Sequence, residues 1–413
     1  MAMNFLISGS DNSTPSNSVD NFNFICASFP STWSATETDR DCPVAGAMTL
    51  TEMYVETLDP PGAGNSFVFT VMKNGSATAL VVTISDSANT GSVTGQAVTF
   101  AAGDTISMRH TPVSTPDASG QQHWGILAKT SNNTFVMFGH TATNASTTAT
   151  EWQGLQGGIG VWEAVAQSNV MQIAPLAGTL RDLYVRLGTA PGTATSRTFS
   201  VLLGGSAAGA PTVTIADTAT AGQDTTTTLA FGAADTLSFQ SAVTLVPAAS
   251  PVAWSIVCIP TTAGESMILF GNSNPPLVSG TEWEQLQGGG AGTWAAFEDI
   301  RGMILAGGTA KSIYVQIGTP ADNGAGVQSW TFTLRKELAD TALAVTISEA
   351  ASKANFSTDV TITPGDTIDW QCVPANTPAA MTGGAHLGLK IFFTPTGSAK
   401  DVIRASSVVP FQR

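Results

Sequence analysis

Charged side chains are scarce. They make up 11% of the 413 residues, 16 basic against 30 acidic, for a formal net charge of −14. A chain-wide nucleic-acid footprint needs a basic face, so no nucleic-acid partner is expected. No apolar run approaches the roughly 20 residues that span a bilayer, which argues against membrane insertion. The first residues, MAMNFLISGSDNSTPSNS, have no basic stretch and only Phe5-Leu6-Ile7 as an apolar run. They do not read as a secretory signal, and assembly in a cytoplasm is expected. The four cysteines (Cys26, Cys42, Cys258, Cys372) form no CxxC pair and no zinc spacing. Cys26 and Cys42 are either bridged or, as suits a cytoplasmic product, buried free thiols. Glu, Lys and Leu, the helix formers, are sparse. The 41 glycines and 21 prolines, with abundant Thr, Ala and Ser, point to an all-β chain of short strands and turns.

Tyrosine is rarer still, and its scarcity exposes a repeat. The three tyrosines, Tyr54, Tyr184 and Tyr314, recur at one spacing in AGAMTLTEMYVETL, LAGTLRDLYVRLG and GGTAKSIYVQIG. A Pro/Gly turn follows each, then an alternating strand (SFVFTVMKNG, RTFSVLLGG, SWTFTLRKE). VVTISD, TVTIAD and AVTISE bring Ile84, Ile215 and Ile347 into register, and AGDTISM, AADTLSF and PGDTIDW align Asp104, Asp235 and Asp366. HWGILA, AWSIVCI and HLGLKIFF close the units. The repeats are 1–131, 132–263 and 264–396, with a tail at 397–413.

Each repeat holds about eight short strands in roughly 130 residues, the size and rhythm of a jelly-roll β-sandwich; an immunoglobulin-type sandwich is the alternative. The connectors, Thr130–Asn133 and the TTAGES segment after Pro260, are too short to let the units wander, so the three should pack together. They form either a closed ring, a single-chain pseudo-trimer, or a rod. Short hand-overs also invite strand exchange between neighbours.

The run LAGTLRDLYV, a PG turn, FTVMKNGSATALVVTIS, AGDTISMR and the HWGI strand resemble a jelly-roll repeat of tailed-bacteriophage virion proteins and of exposed bacterial proteins. More distantly, they resemble the trimeric complement-type and tumour-necrosis-factor-like jelly rolls. The resemblance covers residues 5–396 and lies in turn and core residues. It implies a surface or assembly role on a particle, commonly in threefold arrangement. Three units in one chain depart from families that use three chains.

Alternation along Leu180–Leu187 sets Leu183, Val185 and Leu187 against Asp182, Tyr184 and Arg186, so each tyrosine falls on the outward face. Tyr54, Tyr184 and Tyr314 then either line an inter-unit seam or partner contact, or pack on cross-strand neighbours in solvent. Trp152, Trp162, Trp283 and Trp294 sit in the near-duplicate segments TEWQGLQGGIGVW and TEWEQLQGGGAGTW. They either stack on sugars or plug the open end of each sandwich. The single aspartates in the GD/AD turns are better suited to capping turn amides than to calcium, which wants several clustered acids. The four histidines share no position across all repeats, and no catalytic fingerprint is present, so no catalytic, cofactor or metal residue is assigned. The tail carries Lys400, Arg404 and Arg413 against Asp401, in contrast to the acidic repeats, and either docks on an acidic partner surface or extends into solvent.

These readings lead to a non-enzymatic virion structural protein of a tailed bacteriophage. It would be a decoration or cement protein on the outer head, with a head-fibre or tail position as second option. Its partners would be the major capsid protein or other virion proteins, and further copies of itself. The rival class is a carbohydrate-binding adhesin or receptor-binding protein with surface glycans as ligands.

Overall fold

The computed structural model describes residues 2–392, apart from 12, 29–31, 159–160, 273–275, 277, 289–293, 297, 299–302, 325 and 382–383. Apart from two 3₁₀ turns, Glu37–Asp39 and Gln167–Asn169, every regular element in them is a β-strand. The chain is all-β, and its long strands pair antiparallel. Alternating sequence accounts for the strands. Met53 and Val55, Leu183 and Val185, and Ile313 and Val315 are all buried, while the residues between them turn to the other face.

One strand order recurs along the chain. A first sheet is built by an opening strand, a closing strand, the tyrosine strand and a following edge. The opening strands are Met3–Asp11, Phe135–Ala145 and Glu265–Asn272; the closing strands are Gln122–Thr130, Ser250–Pro260 and Ala385–Phe392. The tyrosine strands are Met48–Thr57, Gly178–Leu187 and Met303–Ile317. Each opening strand pairs with the closing strand of its own set, so these strands are not exchanged. A second sheet runs Asn21–Phe24, Thr105–Val113, Gly62–Lys73, Ser76–Asp86, and recurs as Glu151–Gln153, Thr236–Thr244, Gly192–Leu203, Thr212–Asp217. In the last set the long strand Lys353–Ala375 passes through both sheets and joins them into one of seven strands.

The landmark aspartates close equivalent turns. Asp104, Asp235 and Asp366 accept the backbone N–H of Ala101, Gly232 and Thr363, each at 2.7 Å. This hydrogen bond fixes the turn before the next strand.

Inside the first two sets, an indole locks the layers together. Trp124 pairs across from Gly9 and donates to the Ile25 carbonyl at 2.8 Å; Trp254 pairs across from Gly139 and donates to the Leu155 carbonyl at 2.8 Å. Glycine is required opposite, because a Cβ on Gly9 or Gly139 would lie 2.4 or 2.2 Å from the ring. In the third set the same pair is Phe270 and Leu387, and the indole comes from the other part of the sheet: Trp370 donates to the Leu286 carbonyl at 3.4 Å. All four cysteines are buried and free.

Candidate contact surfaces

The three strand sets touch one another in a cycle. The short segment Cys42–Pro43 of the first set packs on the opening, closing and tyrosine strands of the second. Gln172–Ile173 of the second set packs on the same three strands of the third. The tyrosine strand of the third, whose start pairs as those two segments do, packs on the same three strands of the first.

The seams differ in chemistry: one is aromatic and ionic, and the other two rest on side-chain amides. Between first and second, the fully buried His140 ring stacks on Phe24 at 4.1 Å, and Arg186 reaches Asp41 at 3.3 Å. Burial pushes the Asp41 carboxyl up to about 6, against the pull of Arg186. Burial also pushes His140 down to about 3. Between second and third, Gln172 and Gln156 do the work. The Gln172 amide donates to the Leu269 and Gly288 carbonyls, each at 3.2 Å, and the Leu269 N–H donates to Gln156 Oε1 at 2.9 Å. Here the backbones come so close that a Cβ on Gly388 would sit 2.2 Å from the Ile173 carbonyl. Between third and first, Ser10 Oγ donates to Gln285 Oε1 at 2.8 Å, and the Gln287 amide donates to the Ser8 carbonyl at 2.9 Å.

These polar residues escaped sequence reasoning. The one signal was that Gln156 and Gln287 recur in the duplicated tryptophan segments, where the tryptophans drew attention instead. Near the meeting point, Gly158 N–H donates to Ser28 Oγ at 3.0 Å, and a Cβ on Gly157 would lie 2.4 Å from Gly288 Cα. The two connectors also meet, with Gly264 N–H donating to Asn133 Oδ1 at 2.8 Å.

The tyrosines take different positions. Tyr54 is 8% exposed, belongs to an apolar cluster that also contains residues of the third set, and donates to Glu52 Oε2 at 2.9 Å. Burial raises its phenol well above the ordinary value. Tyr184 is half-buried and lines a shallow cleft with Pro43 and Thr105 of the first set. Tyr314 is half-buried and pairs with Gly388, the glycine under the Ile173 carbonyl.

Among the tryptophans, Trp162 (6% exposed) and Trp294 (4%) are core side chains packed on Trp254 and on Phe270 and Phe332. Their rings plug the sandwich and leave no face for a sugar, which corrects the sugar-stacking alternative for these two. Trp152 and Trp283 are half-buried on the outer side of the second sheet, opposite Gln240 and Gln371. His110 and His140 are core residues; burial lowers His110 to about 4 among Trp33, Phe67 and Phe69. Lys400, Arg404 and Arg413 lie outside the described residues. Among the described residues, no group of three or more His, Cys, Asp or Glu is placed to hold a metal ion.

No family model matches the chain, and no curated protein matches it.

Proposed function

We propose that the chain is a single-chain pseudo-trimer of three tandem jelly-roll sandwiches (1–131, 132–263, 264–396) with a tail at 397–413. In this reading it is a non-enzymatic virion structural protein of a tailed bacteriophage, bound to the major capsid protein on the outer head. The cyclic set of seams carries the proposal. Three equivalent contacts, each from a short segment of one sandwich to the first sheet of the next, close into a ring and leave the second sheets outward. A ring of this kind offers one contact surface three times, and several weak contacts hold through a raised effective concentration. In this reading Tyr54, Tyr184 and Tyr314, which alternation turns away from the core of each unit, stand at the three seams.

The test is to quantify the protein in purified virions by mass spectrometry and to locate it by cryo-electron microscopy. The reading expects a shell-like copy number and three-lobed density on the head. Absence from heads overturns it. The half-exposed Trp152 and Trp283, each beside a glutamine, favour a second reading as a glycan-binding adhesin. Glycan-array binding lost in Trp152→Ala with Trp283→Ala would replace the first reading with this one.

A further inference from the structure

One end of the molecule is apolar and acidic. Leu58 follows the first tyrosine strand, Val113 ends Thr105–Val113, Leu245 and Val246 follow Thr236–Thr244, and Val327 precedes Ser329–Lys336. All are solvent-exposed, Leu245, Val246 and Val327 by 67, 65 and 67%. The register places these loops at the same end of their sandwiches, where the tyrosine strands finish and the closing strands begin. In a ring closed by equivalent seams, equivalent loops lie at one height along the axis, so these tips share a surface. The exposed carboxylates Asp59, Asp86, Asp117, Asp217 and Asp322 stand in the same loops, and among the described residues of these loops Lys353 is the one base.

The last strand, Ala385–Phe392, begins at this end beside Ile317 and finishes at the other, beside Thr309 and Glu265. The described chain therefore ends, at Phe392, at the far end. The sequence of the C-terminal segment is the chemical complement of the acidic tips: Val402, Ile403, Val408, Val409 and Phe411 are apolar, and Lys400, Arg404 and Arg413 outnumber Asp401.

We infer that the acidic, apolar end receives the C-terminal segment (397–413) of a second copy, so that molecules stack head to tail. The inference rests on the closed-ring reading. Donor and acceptor are different parts of the chain, and the described chain ends opposite the acceptor, so the contact is heterologous, does not close, and propagates into short linear stacks. Apolar tips supply burial, and the carboxylates select a basic partner and repel a second acidic end.

Sedimentation of the full chain over a range of concentrations tests this, alongside a chain ending at residue 396 and the Leu245→Lys, Val246→Lys double variant, whose changes are at exposed tips. A labelled synthetic peptide of residues 397–413 is titrated onto the truncated chain. The expected result is concentration-dependent association of the full chain alone, weakened about tenfold by about 0.5 M salt. The peptide should bind the truncated chain and lose at least about tenfold in affinity on the Leu245/Val246 variant. A single mass at every concentration overturns the inference whether or not the peptide binds, and so does association that survives truncation. Both measurements use the isolated protein, so they can fail while the virion experiment succeeds, and the reverse.

Discussion

The first two strand sets and the third solve one packing problem in opposite ways. In the first two, the closing strand supplies a tryptophan and the opening strand a glycine that makes room for it; in the third, Phe270 and Leu387 share the volume. The hydrogen bond to the following loop is nevertheless kept, because Trp370 reaches the Leu286 carbonyl from the facing layer. The conserved quantity is the filled volume and the satisfied carbonyl, and no single position owns either.

This comparison can be broken at Trp254. Trp254→Leu alone should leave a hole beside Gly139 and cost about 3 kcal/mol or more, read by denaturant unfolding. Adding Gly139→Phe and Phe239→Trp copies the third arrangement and should recover most of the loss. A double-mutant cycle on Gly139 and Trp254 should show coupling of about 2 kcal/mol, and additivity would mean that the positions do not share a volume.

Buried titratable groups add a second comparison: His110, His140, Asp11 and Asp41 lie in the first set or at its seam with the second, while the third buries Asp369, whose carboxyl burial raises well above the ordinary value. Burial lowers His110 to about 4 and His140 to about 3. Their contribution to stability is full above the ordinary 6.5 and is lost as pH falls toward those values. Burial raises Asp11 and Asp41 to about 6, so their contribution is full below the ordinary 3.8 and is lost as pH rises through about 6. Between these limits the two groups oppose each other. His140→Phe keeps a ring against Phe24 and removes one opponent. From pH 6.5 to 4 the variant should gain stability relative to the parent, on the order of 3 kcal/mol, in pH-dependent melting.

Smaller effects separate the seams and the indoles. Trp370→Phe should cost about 2 kcal/mol, the hydrogen bond to Leu286 together with the volume lost from a fully buried ring. Arg186→Ala should cost less than about 1 kcal/mol at neutral pH, because the arginine is half-exposed. That cost should vanish below about pH 6, where Asp41 is protonated in either protein.

The repeat was readable because its markers are local. Ile84, Ile215 and Ile347 are buried alike, and the three aspartates each accept the equivalent turn N–H at one length. Alternation identified the buried faces of the tyrosine strands for the same reason. The Phe270–Leu387 exchange was not readable, since its partners are joined only by strand register across the whole unit. Arg197 shows the same limit. In the string RTFS it reads as an ordinary strand residue, yet it is fully buried and donates to the carbonyls of Ala145, Ser146 and Ala248. Ser10, Gln172 and Gln285 serve seams whose existence depends on a neighbour, so nothing in their own segments marks them.

The meeting of the connectors at Asn133 and Gly264 has a further consequence. A trimer of separate chains must use the same residue three times at its axis and falls apart on dilution. Here the seams belong to one covalent molecule, in which the Gly158 N–H donates to Ser28 and Gly157 lies against Gly288. In a chain ending at residue 396 their melting should not depend on protein concentration, and each seam is free to acquire its own chemistry without disturbing the other two.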